Sequence, residues 1–339
     1  MKHPCILTVI MVFSTILSLA QNKRLPVIDM HLHALYADGQ GPPPLQMGAP
    51  FKHFGAHDAL DDYRKTFMRV LKNNTWADVI ISSPSTDDSM QLLTLSELEK
   101  FNVYAVTSGE PEILQKWKKV APQRIIKSAD WSFGLAAKGL TTDSLRKMFA
   151  SHGYRVFGEV SIQYEGVGAS DSAFEPYLAM AEELDVPVGI HVGNGPPGAA
   201  LVSSQGYRAG LHSALVLEEA LNRHPKLRVY AMHAGWPMLD DMIAMLYTYP
   251  QLYVDIGAIC YMIPTKEFYF YLERLCNAGF SKRIMFGSDN MVWPDAIGIG
   301  IRNIEQAKFL TDEQKRDILF NNAARFLRLT ETQIRDMNR

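Results

Sequence analysis

The sequence predicts an α/β protein of the (β/α)8 TIM-barrel class with an elaborated first βα loop. Eight short runs rich in β-branched residues alternate with helical stretches, and these runs cover residues 25–33, 102–108, 124–131, 155–162, 185–193, 227–235, 252–258 and 283–289. Near-continuously apolar strands that alternate with helices are typical of a parallel sheet, and eight such units favour a closed barrel. The alternative is an open doubly wound sheet, but no GxGxxG motif follows the first run.

The interval between the first strand and its helix is irregular. Helical periodicity separates most of the runs, as in residues 142–153, 213–225 and 237–250. Residues 34–85 instead contain the segment GPPP at 41–44 and an isolated apolar segment, ADVIISS. Long loops in compact domains usually carry function, so we expect this one to cover the barrel mouth. The alternative is a loop that covers an edge or forms a subunit contact.

Composition places the chain among ordinary globular proteins. Of its 339 residues, 47% are hydrophobic, and 34 Lys and Arg are opposed by 36 Asp and Glu for a net charge of −2. No global basic field is available to neutralise phosphates, so nucleic acid is not an expected partner. Without repeats or a long polar linker, residues 21–339 are expected to form one domain.

The first twenty residues are typical of a cleaved signal peptide. Lys2 precedes an apolar run that ends in Ser18-Leu19-Ala20, a small-x-small cleavage pattern. A retained anchor is the alternative, although the apolar run is short for a bilayer span. We therefore expect export to the periplasm or the medium, without membrane association after cleavage. Of the cysteines that remain, Cys260 and Cys276, two buried free thiols are favoured over a disulfide.

Potential metal ligands stand at the carboxyl ends of five predicted strands. His31 and His33 share one face of the first strand, because strand side chains alternate with period two. The other four positions end later strands: Glu159, His191, His233 and Asp289. Burying so many ionisable groups without compensation costs several kcal/mol per charge, whereas a divalent cation binds carboxylates and imidazole lone pairs together. The pattern therefore predicts a metal centre at the barrel mouth.

At this point the chain resembles the amidohydrolase superfamily of metal-dependent barrels. The segments PVIDMHLH, HPKLRVYAMHAGW, YPQLYVDIGA and RIMFGSDNMVWP look like its amidohydrolase-related branch, which contains hydrolases and decarboxylases, over residues 25–330. The resemblance implies that His31, His33 and Asp289 hold one metal ion and that His191 and His233 hold a second. It further implies that Glu159 bridges the two, although decarboxylases of this branch commonly use one ion.

The function expected from this pattern is hydrolysis of a small ester, lactone, amide or phosphoester. A metal-bound water has a pKa lowered toward about 7, and Asp289 is the expected catalytic residue that takes its proton. Zinc is the expected ion, one or two per chain, with Mn²⁺, Fe²⁺ or Co²⁺ also compatible with the ligand types. The alternatives are a non-oxidative decarboxylase of a small unsaturated or aromatic acid and a catalytically inactive binding protein.

Four further residues closely follow ligand-bearing strands and are candidates for substrate contact: Tyr164, Asn194, Asn290 and Trp293. Asn is also a common turn former, and Trp293 before Pro294 is equally compatible with packing beneath a loop. The expected partner is a small-molecule substrate. Both a monomer and a homo-oligomer are compatible with the sequence.

Overall fold

Eight parallel strands form the central sheet of the computed structural model, which describes residues 24–73, 75–131 and 140–338. The predicted signal peptide, residues 1–20, lies outside the described residues. The order of the strands in this sheet follows the chain, and every hydrogen-bonded pair is parallel. The strands are Val27–Ala34 (β1), Val103–Gly109 (β4), Ile125–Trp131 (β5), Tyr154–Val160 (β6), Val188–His191 (β7), Val229–Met232 (β8), Leu252–Asp255 (β9) and Ile284–Met285 (β10).

The barrel closes between its last and first strands through individual backbone hydrogen bonds. Met30 N–H donates to Phe286 O at 2.9 Å, and Asp289 N–H donates to His31 O at 2.6 Å. The last strand ends at Met285 and is shorter than the predicted run of 283–289, and the backbone reaches the left-handed region at Asp289, with φ of 48°. All eight predicted strands are present, and the predicted barrel class is confirmed.

Helices surround the barrel, and three of them, α1 at 63–73, α6 at 199–202 and α9 at 259–262, contribute residues to the cavity at its carboxyl end. The helices are Tyr63–Asn73 (α1), Asp87–Lys100 (α2), Pro111–Val120 (α3), Thr142–Ser151 (α4), Glu175–Glu183 (α5), Ala199–Val202 (α6), Glu218–Arg223 (α7), Leu239–Thr248 (α8), Ile259–Met262 (α9), Thr265–Leu275 (α10), Asp295–Gln306 (α11), Asp312–Arg316 (α12), Asn322–Phe326 (α13) and Glu331–Asn338 (α14). Every residue of β1 is buried, as expected for a strand covered on both faces. No helix in the described part of the chain combines the length and apolar character needed to cross a membrane.

The first βα loop has its own secondary structure. It contains a two-stranded antiparallel sheet, Gln46–Gly48 (β2) with Ile80–Ser82 (β3), and helix α1 lies between these strands. Its residues line the cavity at the carboxyl end of the barrel, as expected for a loop over the mouth. Cys260 and Cys276 are buried free thiols.

Candidate metal centre

The barrel brings all six predicted metal ligands into one buried cluster. His31 and His33 lie on β1, whereas the other four come from the ends of β6, β7, β8 and β10. Each of the six is at most 9% exposed. Three overlapping sets of ligand atoms lie close enough together to share an ion: His31, His33 and Glu159; His31, His233 and Asp289; and Glu159, His191 and His233.

One part of the cluster, which we call the HxH half, consists of His31, His33 and Asp289. The Nε2 atoms of the two histidines lie 3.1 Å apart. Asp289 Oδ1 lies 3.6 Å from His31 Nε2 and 3.1 Å from His33 Nε2. Glu159 Oε2 faces the same two nitrogens at 3.6 and 3.4 Å. Two imidazoles and two carboxylates therefore converge on one point.

The other part, which we call the His191–His233 half, is built from two histidines of later strands. His233 Nε2 lies 3.0 Å from His191 Nδ1. Glu159 Oε1 lies 3.5 Å from His233 Nε2 and contacts His191 Nδ1. The two oxygens of Glu159 thus face different halves of the cluster, which is the arrangement of a bridging carboxylate.

Hydrogen bonds at the outer side of the rings show that this donor set fits a cation. His233 Nδ1 donates to Gly257 O at 2.9 Å, and His191 Nε2 donates to Gly193 O at 3.2 Å. With the outer nitrogens donating, each inner nitrogen carries either a proton shared with Glu159 or a lone pair that can bind a cation. Ligand atoms about 2.1 Å from one cation are about 3.0–3.4 Å apart, close to the separations in both halves.

Asp255, at the end of β9, supports the cluster and was not anticipated from the sequence. Its Oδ2 lies 3.3 Å from His31 Nδ1, and its Oδ1 accepts from His233 N at 3.0 Å. The carboxylate is fully buried. Gly257 leaves room for this contact, because a Cβ there would lie 2.7 Å from His31 Nδ1. The signal in the sequence is the Asp that ends the seventh barrel strand in YVDIGA.

The carboxylates of this cluster stabilise positive charge within it. Burial would raise the pKa of Glu159, but hydrogen bonds and charge from His191, with further hydrogen bonds from His233 and His31, hold it well below its usual range. Burial would lower the pKa of His33, yet Asp289 and Glu159 raise it to about 9. The two carboxylates therefore favour either protons on the imidazoles or a divalent cation in their place.

Three of the four predicted substrate contacts line a cavity of about 600 Å³ above the cluster: Tyr164, Asn194 and Trp293. The Tyr164 hydroxyl lies 3.2 Å from His191 Nε2. Trp293 also fulfils the packing alternative, because it is buried and its indole N–H donates to Leu45 O at 2.8 Å.

Asn290 differs from the expectation of substrate contact. Its side chain is fully buried and is not among the residues that line the cavity. Its Oδ1 accepts from His33 N at 2.9 Å, and its amide donates to Met291 O. Asn290 therefore supports the backbone of the ligand strand at His33.

His212, which follows β7, was also missed by sequence reasoning. Its Nδ1 donates to Gly193 O at 2.6 Å, the same carbonyl that accepts from His191. In return, Gly193 N–H donates to His212 O at 2.7 Å. Burial and the neighbouring His191 lower the pKa of His212 to about 4. A neutral imidazole therefore fixes the carbonyl that orients His191.

Structural comparisons support the barrel fold. An uncharacterized TIM-barrel protein from Bordetella bronchiseptica has a TM-score of 0.59 at 16% identity, covering 91% of this chain and 99% of that chain. A 2,6-dihydroxybenzoate decarboxylase from Rhizobium has a TM-score of 0.55 at 13% identity, with coverages of 90% and 99%. A probable 2-pyrone-4,6-dicarboxylic acid hydrolase from Acinetobacter baumannii, with citric acid bound, has a TM-score of 0.55 at 14% identity, with coverages of 90% and 100%.

Sequence comparison identifies the family. The chain matches no functionally curated protein at a significant level. The profile of the family described as amidohydrolase matches residues 28–329, which include all six predicted ligands. The chain therefore belongs to the amidohydrolase family.

Proposed function

We propose that this chain is an exported metal-dependent hydrolase that cleaves a small ester, lactone, amide or phosphoester. Membership of the amidohydrolase family supports a metal-dependent enzyme. The observation that carries the proposal of hydrolysis is the position of Glu159, whose Oε2 faces His31 and His33 and whose Oε1 faces the other half of the cluster. A carboxylate placed in this way suits two cations, and paired cations stabilise both the attacking and the leaving oxygen in hydrolysis.

The ligand set fits Zn²⁺, and Mn²⁺, Fe²⁺ and Co²⁺ are compatible with the same donors. His31, His33 and Asp289 would hold one ion, His191 and His233 the other, with Glu159 between them. A divalent cation bound here supplies Lewis-acid polarisation of a carbonyl or phosphoryl oxygen and lowers the pKa of water.

The protein's own groups perform the remaining steps. Burial would raise the pKa of Asp289, but the charge on His31 and the hydrogen bond and charge from His33 hold it below its usual range. The ionised carboxylate lines the cavity, so it takes a proton from the attacking water and returns it to the leaving group. Asn194 also lines the cavity and is placed to contact the substrate.

Non-oxidative decarboxylation of an aromatic or unsaturated acid is the second candidate function. The fold similarity to a 2,6-dihydroxybenzoate decarboxylase favours it. This reaction needs one cation to hold the carboxylate of the substrate, so it predicts a single equivalent of metal. It also predicts release of carbon dioxide, which hydrolysis of an ester or lactone does not produce.

Metal stoichiometry, followed by two substrate panels, tests the proposal. Protein purified without chelator is analysed for metal before and after reconstitution with Zn²⁺ or Mn²⁺, and is then assayed with esters, lactones, amides and phosphoesters and separately with carboxylated aromatic acids. We expect about two equivalents and turnover of the first panel only. One saturating equivalent with carbon dioxide release would establish the decarboxylase instead. Tight metal binding without turnover of either panel would indicate a binding protein.

A further inference from the structure

The first βα loop builds an apolar wall along one side of the cavity. Six side chains of this loop line it: Leu45, Met47, Phe51, Phe67, Met68 and Leu71. Four of these, Leu45, Met47, Phe51 and Leu71, are at most 7% exposed, whereas Met68 is 43% exposed at the open end. An exposed apolar side chain beside a continuous apolar surface is suited to contact with a ligand.

Hydrogen bonds hold the wall in a fixed position relative to the candidate metal centre. The Tyr63 hydroxyl at the start of α1 donates to Pro197 O at 2.7 Å, and Arg64 Nη2 donates to Val202 O at 3.0 Å. Both acceptors belong to the segment that follows the His191 strand. At the other end of the wall, Phe51 N–H donates to Met262 O at 2.9 Å. The loop is therefore tied to both sides of the barrel mouth.

The charges of the cavity lining disfavour an anionic group on the part of the substrate that lies beside the wall, away from the metal centre. Among the described residues that line the cavity, none is Lys or Arg. Apart from the candidate ligands, its charged side chains are the acidic Glu110 and Asp130. A substrate carboxylate beside the wall would lose its hydration without gaining a cationic partner from the described residues of the lining, which is unfavourable.

We infer that the substrate is a neutral ester or lactone with an extended apolar chain, and that this chain lies against the wall formed by the first βα loop. The inference rests on the proposed hydrolysis, because the reacting carbonyl must lie at the candidate metal centre. A cavity of about 600 Å³ accommodates a reacting group and an alkyl chain together. The wall thereby determines specificity and takes no part in bond cleavage.

A series of p-nitrophenyl esters from acetate to octanoate tests the chain preference on the metal-loaded enzyme. We expect kcat/KM to rise about three- to fourfold for each methylene that reaches the wall. The ω-carboxylated ester p-nitrophenyl hydrogen suberate, matched in length to the octanoate, should react at least about tenfold more slowly, since its charge must be desolvated. Equal kcat/KM values along the series, or a kcat/KM for the suberate ester equal to that for the octanoate, would overturn the inference.

Two neighbouring residues of α1 provide a matched pair of variants. Met68→Gln places a polar amide on the wall and should lower kcat/KM for the octanoate about five- to tenfold, and for the acetate much less. Arg69→Gln alters an exposed residue that does not line the cavity and should leave both substrates unaffected. Equal losses for octanoate and acetate in Met68→Gln would contradict a role in chain recognition.

Unreactive 2-alkanones separate the failure of this inference from failure of the proposed function. Their binding is measured by calorimetry from 2-butanone to 2-decanone. We expect the Kd to fall as the chain lengthens and to be higher in Met68→Gln than in the wild type. If no ester or lactone is hydrolysed but the ketones show this dependence, the hydrolase is overturned and the apolar ligand class stands. If esters are hydrolysed but neither kcat/KM nor Kd depends on chain length, hydrolysis stands and the apolar wall does not recognise the substrate.

Discussion

The two halves of the candidate metal centre differ in what holds their histidines. In the HxH half, the outer nitrogens face side chains: His31 Nδ1 lies 3.3 Å from the buried carboxylate of Asp255, and His33 Nδ1 lies 3.3 Å from the hydroxyl of Ser108. In the His191–His233 half, the outer nitrogens donate to the backbone carbonyls of Gly193 and Gly257. One half is therefore supported by a carboxyl group and a hydroxyl of side chains, and the other mainly by backbone carbonyl groups.

This difference predicts unequal affinities for two ions. A carboxylate behind an imidazole makes the ligand nitrogen more basic and strengthens its bond to a cation more than a carbonyl does. The HxH half also contains Asp289, whose Oδ1 lies 3.1 Å from His33 Nε2, whereas its Oδ2 is farther, 3.8 Å, from His233 Nδ1. We therefore expect stepwise binding in a metal titration, with the HxH half filled first.

Replacing the shared carboxylate should produce the largest effect. Glu159→Gln removes the negative charge between the halves, so we expect the metal content to fall from about two equivalents to at most one and turnover to fall by at least about 100-fold. Elemental analysis and steady-state kinetics measure the two changes.

Glu165→Gln is the matched control for this variant, because Glu165 is exposed and lies six residues further along the chain. It should retain both metal ions and full activity. Two equivalents of metal together with an unchanged rate in Glu159→Gln would contradict the bridging role of Glu159.

Replacing Asp255, whose carboxyl group lies behind His31, should weaken metal binding in the HxH half only. Asp255→Asn keeps the size of the side chain but removes the carboxylate, so we expect the first step of a Zn²⁺ titration to weaken about 10- to 100-fold while the second changes little. Asp240→Asn, at an exposed position on α8, serves as the control. Equal weakening of both steps would show that Asp255 supports the whole cluster, as its contact with His233 N also permits.

The parts of this comparison that the sequence could predict are those that depend on strand periodicity. His31 and His33 share a face because of the period of two, and Glu159, His191 and His233 stand at the ends of apolar runs. Parallel barrel strands deliver such ends to one mouth, so convergence of these side chains follows from the fold class.

The residues that support the candidate ligands could not be predicted from strand periodicity. Asp255 resembles any other polar residue at the end of a strand, and its importance depends on the separation between β9 and β1, which only the closed barrel defines. His212 acts through a carbonyl, a group that every residue possesses. The inward position of the Asn290 side chain accompanies left-handed backbone at the neighbouring Asp289 and Met291, a conformation that strand periodicity does not predict.

Substitution of His212 should weaken the backbone support of the His191–His233 half. His212→Asn removes the ring that donates to Gly193 O and leaves a partly empty buried site. We expect the second step of the metal titration to weaken about three- to tenfold, with the first step unchanged, since the carbonyl is displaced rather than lost. A circular dichroism melt of the metal-free protein monitors folding separately. A change confined to the first step would mean that the two halves had been assigned in the wrong order.

The smallest effect is expected from the Tyr164 hydroxyl, which approaches the His191–His233 half. In Tyr164→Phe the ring still packs against His191, with ring centroids 4.8 Å apart in the wild type, but the hydroxyl 3.2 Å from His191 Nε2 is lost. The Gly193 carbonyl still accepts from the same nitrogen, so metal affinity should change less than about threefold. Because Tyr164 also lines the cavity, we expect kcat/KM to fall about three- to tenfold, mainly through KM.

Tyr177→Phe, which removes a hydroxyl bound to Leu140 O away from the cavity, is the control. A loss of the second metal ion in Tyr164→Phe would show that this half also depends on side-chain support, and the contrast between the two halves would then disappear.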